Sequence, residues 1–221
     1  MHFFKVVLIS SLFLFGCQTA IEKAARNTKY SAWEIVGVEK RDLFKKYLEQ
    51  TKDGQEETKE SLQSALDKLK EVYNFDGGNL ESKYKDLNSS YEDAQSRANE
   101  VHDSIKRVNT TAADLFEEWD KEIKEITSAD LRAKSSASLS ATKKKYALLK
   151  TNLGKSEIKI KPVLAKLKDQ VLFLKHNLNA KAIASLKKEH VRIEKDIENL
   201  MVDMKASISA ANEVIADMEK E

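Results

Sequence analysis

A chain of 221 residues with a single proline, six glycines and few alternations of β-branched residues has room for one substantial domain and almost none for a sheet. Charged residues make up 33%, with both signs interleaved and a formal net charge of only +2. That pattern describes solvated helix faces and excludes a polyanion-binding patch, so no nucleic-acid partner is expected. The one cysteine excludes a disulfide framework.

In chain order, Lys5 precedes an apolar run over residues 6–15 that is shorter than the ~20 residues a membrane-spanning helix needs. The run ends in Leu14, Phe15, Gly16 and Cys17. This tetrapeptide resembles the lipobox of bacterial lipoproteins, in which the thiol is diacylated and the chain is cut before the cysteine. The resemblance implies a signal peptide over residues 1–16, lipidation of Cys17 and a short tether over 17–29. More than one acyl chain on one residue anchors a protein firmly, so the membrane is an expected partner through Cys17. Gln18, where Gram-negative sorting would place aspartate for the inner membrane, implies the periplasmic face of the outer membrane.

From Tyr30 onward, apolar residues recur at spacings of three and four in long seams. The first passes Trp33, Gly37, Arg41, Phe44, Leu48, Thr51, Gln55, Thr58, Leu62, Ala65, Leu69 and Val72. It stops at Asn74, Phe75, Asp76, Gly77 and Gly78, a strong turn signal. The second runs from Tyr84 through Leu87, Tyr91, Ala94, Ala98, Val101, Ile105, Val108, Ala112 and Leu115 to Trp119. The third runs from Leu139 through Thr142, Tyr146, Leu149, Leu153, Ser156, Ile160, Val163, Leu167 and Gln170 to Leu174. The fourth takes Leu186, His190, Ile193, Ile197, Leu200, Met204, Ile208, Ala211, Ile215 and Met218.

Antiparallel neighbours must share a midpoint at their turn. Leu69 with Tyr84, Leu62 with Tyr91 and Leu48 with Ile105 all centre between Asp76 and Gly77. The second and third seams centre on Ala129, and the third and fourth on Ala180. The fold predicted is therefore all-α: an elongated antiparallel up-down-up-down four-helix coiled-coil bundle over 30–221, with helices over about 22–73, 80–126, 130–176 and 180–219. Asp130 is the expected N-cap of the third helix, which Pro162 is expected to kink or loosen. Long hairpins of this kind also close as dimers, so one chain and a homodimer both satisfy the seams.

Three segments carry a wider resemblance: residues 26–34, from Arg26 to Glu34; the turn from Asn74 to Gly78; and the run from Leu174 through His176, Asn177 and Asn179 to Leu186. They resemble a family of Gram-negative envelope lipoproteins, domain of unknown function 2959. The resemblance supports the lipoprotein and coiled-coil reading and implies no activity.

Chemistry is sparse. His102, His176 and His190 fall at different levels, and no Glu-x-x-His occurs, so no metal site, catalytic residue or cofactor is expected. His190 should sit opposite Gln170 as a polar core layer that fixes register. Thr51, Gln55 and Thr58 face the small Ala94 and Ala98, with Gly54 alongside. Such a middle is either weakly packed or a cavity for lipid or another apolar ligand. Val171, Leu172, Phe173 and Leu174 cover every side of a helix turn where one stripe would suffice. With Tyr73, Phe75, His176 and Asn177 they define a candidate docking tip for a protein partner. The expectation is a non-enzymatic envelope lipoprotein that acts as a helical spacer or interaction module; a lipid-binding bundle is the alternative.

Overall fold

The computed structural model describes residues 14–35, 37–187 and 190–219. The described residues are all-α: α1 (Leu14–Glu34), α2 (Lys40–Tyr73), α3 (Leu80–Glu125), α4 (Ala129–His176), α5 (Ala180–Leu186) and α6 (His190–Met218). The expected signal peptide lies outside the described residues except for its last three, which open α1, and so does the side chain of Cys17. The chain divides into two compact units, residues 1–43 and 44–221.

In the first unit, residues 17–29, read from sequence as a tether, are helical. The single helix expected over 22–73 is broken between α1 and α2. The stop is a glycine cap. Gly37 takes φ 80°, its N–H donates to the Glu34 carbonyl at 2.9 Å, and the Val38 N–H reaches back to the Trp33 carbonyl at 3.0 Å. These two bonds form a Schellman motif, which satisfies carbonyls that would otherwise be orphaned. The next helix restarts at once, because the Asp42 carboxylate accepts the Glu39 backbone N–H at 3.1 Å, the reciprocal half of a capping box. Lys40 pairs with Glu34 at 3.0 Å and lies 5.2 Å from the centre of the Tyr30 ring. Trp33, placed on the first seam, is exposed, and the buried stripe of α2 begins at Leu43 and Phe44.

In the second unit the seams of α2, α3 and α4 are the buried residues, from Phe44 to Val72, from Leu87 to Leu115 and from Leu139 to Leu174. α3 and α4, at 46 and 48 residues, each span about 70 Å. Polar pairs record how neighbours run. Glu57 with Arg97, Ser64 with Ser90 and Glu71 with Lys83 share a midpoint at Gly77, so partners ascend α2 as they descend α3. Lys145 with Asp217, Lys159 with Asp203 and Lys166 with Asp196 do the same between α4 and α6, about Lys181.

The loops explain themselves chemically. Asn79 caps α3 by accepting the Ser82 N–H at 3.1 Å, after Gly77 and Gly78 turn the chain at φ 145° and 102°. α4 is capped by Ser128, which accepts the Leu131 N–H at 3.4 Å. Asp130, expected in that role, lies inside the first turn and pairs with Lys134 at 2.8 Å. Arg132 closes the same turn by donating to the Ile126 carbonyl at 2.9 Å. Pro162 sits on the exposed side of α4, and the helix runs through it without interruption.

Two expectations about the fourth helix change. The stretch 180–219 is two helices, α5 and α6, and no glycine or proline marks the break. The α6 stripe also keeps strict three-four spacing through Met204, Ser207, Ala211 and Val214, where the sequence reading stepped to Ile208 and Ile215. Those isoleucines lie at the margin of the core.

Candidate functional site

Two places in the second unit concentrate polar or unusual chemistry. The first is its middle. Thr51, Gln55, Thr58, Ser156 and Ser207 are all essentially inaccessible, so each needs an internal partner. Gln55 donates from Nε2 to Ser156 Oγ at 3.1 Å, and its Oε1 accepts from Ser207 Oγ. Residues of α2, α4 and α6 thus meet in one layer. Thr51 and Thr58 donate to the carbonyls four residues back, Tyr47 at 2.8 Å and Gly54 at 2.7 Å. Gly54 is the close-approach point beside this layer: a Cβ there would come within 3.3 Å of Val101 Cγ2 on α3.

This layer differs from the one predicted at Gln170 and His190. Gln170 is buried, but its Oε1 accepts from the Tyr73 hydroxyl at 3.5 Å, while the His190 side chain lies outside the described residues. The signal for the Gln55 layer was present in Gln55 and Ser156, both of which fall on the seams. The fourth seam placed Ile208 where Ser207 is the buried residue.

Toward the end of the unit where α2 and α4 begin their pairing, three rings close the core. Phe44, Phe116 and Tyr146 meet edge to face, with centroids 5.4 to 6.3 Å apart. The Tyr146 hydroxyl donates to Asn109 Oδ1 at 2.7 Å, and burial pushes its pKa up to about 12. Trp119 is half-buried, and its indole N–H donates to Ser135 Oγ at 3.0 Å.

The second place is the opposite end, around the α2–α3 turn and the α4–α5 turn. Tyr73 is only 3% exposed and belongs to the core, so its assignment to a docking tip is corrected. Phe75 packs half-buried against the same core. Leu172, Phe173 and Leu178 are exposed, Phe173 by 40%, and His176 is exposed beside them. Asn177 is the C-cap of α4, and its Nδ2 donates to the Phe173 carbonyl at 2.9 Å. That bond fixes the turn on which the apolar residues sit.

A groove of about 460 Å³ lies at the α2–α3 turn between Lys70, Glu71, Phe75, Asp76 and Lys83. Its lysines and Glu71 are committed. Lys68 and Lys83 both bond Glu71, at 2.7 and 2.6 Å, and hold its carboxyl down to about 2; Lys70 pairs with Glu194 at 2.5 Å. Among the described residues no cluster of three or more His, Cys, Asp and Glu is placed to hold a metal ion.

Long amphipathic helices whose buried polar groups are tied to one another define an all-helical packing module. The chain belongs to the family described as protein of unknown function (DUF2959), whose model matches residues 29–218. No curated protein matches it.

Proposed function

We propose that this protein is a lipid-anchored envelope protein without catalytic activity, held by acyl chains on Cys17 at the periplasmic face of the outer membrane. Its long helices act as a spacer that presents one end to a protein partner. In this reading the ladders of paired charges describe an up-down-up-down antiparallel bundle, closed within one chain. The apolar run before Leu14, Phe15, Gly16 and Cys17 supports the anchor.

The observation that carries the interaction reading is the clustering of Leu172, Phe173 and Leu178 in solvent on either side of the Asn177 cap. Single exposed apolar residues are ordinary, whereas three within two turns form a patch that a partner can desolvate. The patch lies at the end of the second unit remote from Phe44, about 44 Å along α2.

The test is photo-crosslinking in living cells, with a probe at Phe173 and a control at Glu100 in mid-helix. A protein captured at Phe173 and not at Glu100 supports the docking role. Identical products at both positions, or none with the protein folded and lipidated, would refute it. Labelled fatty acid should enter the wild-type chain and be lost in Cys17→Ser; retention of label in that variant would remove the anchor.

A further inference from the structure

The first unit contains a surface that the spacer reading leaves unused. Along α1, Ile21, Ala24, Ala25, Thr28 and Ala32, with Ile35 one turn past Ala32, recur at spacings of three and four and are all exposed, Ile21 by 69% and Ile35 by 85%. Thr28 does not interrupt the stripe, because its hydroxyl donates back to the Ala24 carbonyl at 3.1 Å and leaves the methyl outward. The other side of the helix holds Lys23, Arg26, Tyr30 and Glu34. No described helix is long and apolar enough to cross a membrane.

We propose that α1 lies flat in the lipid interface, with the stripe from Ile21 to Ile35 inserted among the upper acyl chains of the leaflet that holds Cys17. The inference rests on lipidation of Cys17. What identifies the occupant is position: Cys17 belongs to the first turns of the same helix, one turn before Ile21, so the lipid attached there lies within about 6 Å, along the axis, of the start of the stripe. Ile21 and Ile35 are about 21 Å apart along the axis. A helix standing upright on its anchor would wet only its first turn and leave Ile35 in water, whereas a flat one covers the whole stripe. Amphipathic helices of low overall hydrophobicity bind membranes in this way.

The experiment uses the full chain, purified in its cell-processed form and reconstituted in vesicles of phosphatidylethanolamine and phosphatidylglycerol. Once Cys17 is acylated, an introduced cysteine is the one free thiol. Nitroxide is placed on Ala25→Cys and Ala32→Cys in the stripe, and on Asn27→Cys and Glu34→Cys off it. Stripe positions should lose collisions with a water-soluble nickel chelate and gain them with oxygen, while Asn27 and Glu34 keep the chelate. Equal access at all four positions on acylated protein would overturn the interfacial helix and leave the anchor intact. Dipolar broadening between copies at Ala25 and Ala32 would overturn it in favour of a second chain on the stripe. An intact mass without acyl chains would overturn the anchor, and the inference with it.

Discussion

Tyr146 concentrates three kinds of stabilisation in one side chain: edge-to-face ring contacts, a hydrogen bond to Asn109 and burial. Removing only the hydroxyl, as in Tyr146→Phe, keeps the rings and should cost about 1 kcal/mol in a urea unfolding curve. Phe44→Ala removes the ring that both others touch and should cost about 3–5 kcal/mol by the same measurement. The phenol adds a pH dependence whose sign follows from its raised pKa. The folded state disfavours phenolate, so stability is intact below the unfolded value of 10.0 and falls as pH rises toward about 12. Unfolding midpoints taken across that window should decline in wild type and decline less in Tyr146→Phe. Phe44 and Tyr146 stood on the predicted seams because both fall on three-four spacing; Phe116 did not, since it lies one residue past Leu115 on the edge of its stripe.

Among elements, the Gln55 layer ties α2 to α4 and α6 at one height. Polar residues at such positions fix register at a cost in stability. In Gln55→Leu, Ser156 and Ser207 still have the Leu153 and Met204 carbonyls, each at 2.9 Å, so no orphan remains. The variant should unfold at equal or higher urea concentration, yet sediment as a mixture of monomer and dimer where wild type gives one species. The lysine and aspartate ladder between α4 and α6 is weaker. Lys159→Asp should cost less than about 1 kcal/mol, and Asp203→Lys added to it should restore most of the loss in a double-mutant cycle. Heptad spacing made these helices readable because burial on a helix follows period, not residue type. It failed at Gly37, which falls on the seam by spacing but whose φ of 80° ends α1, and the seam read from sequence left the period at Ile208, where Ser207 is the buried residue with Gln55 as its partner.

At the scale of the whole chain, the turns were readable because Asn74 to Asn79 and Thr127 to Asp130 carry turn residues. The break between α5 and α6 was not, since nothing local to it differs from helix. The exposed apolar patch at the α4–α5 turn was half readable: hydropathy marked Tyr73 and Phe173 alike, and only packing separates the buried one from the exposed one. The layer at Gln55 also dictates an order of events. Glu71 and Lys83 are 12 residues apart, and α2 with α3 can zip from that turn as soon as both exist. Gln55 and Ser207 are 152 residues apart, so the centre of the core must wait until nearly all of the chain has been made. Pulsed hydrogen exchange during refolding should therefore protect amides flanking Gly77 before those around Gln55. A chain halted before α6 would hold an open hairpin with Gln55 lacking the Ser207 hydroxyl, a form suited to capture by chaperones and proteases.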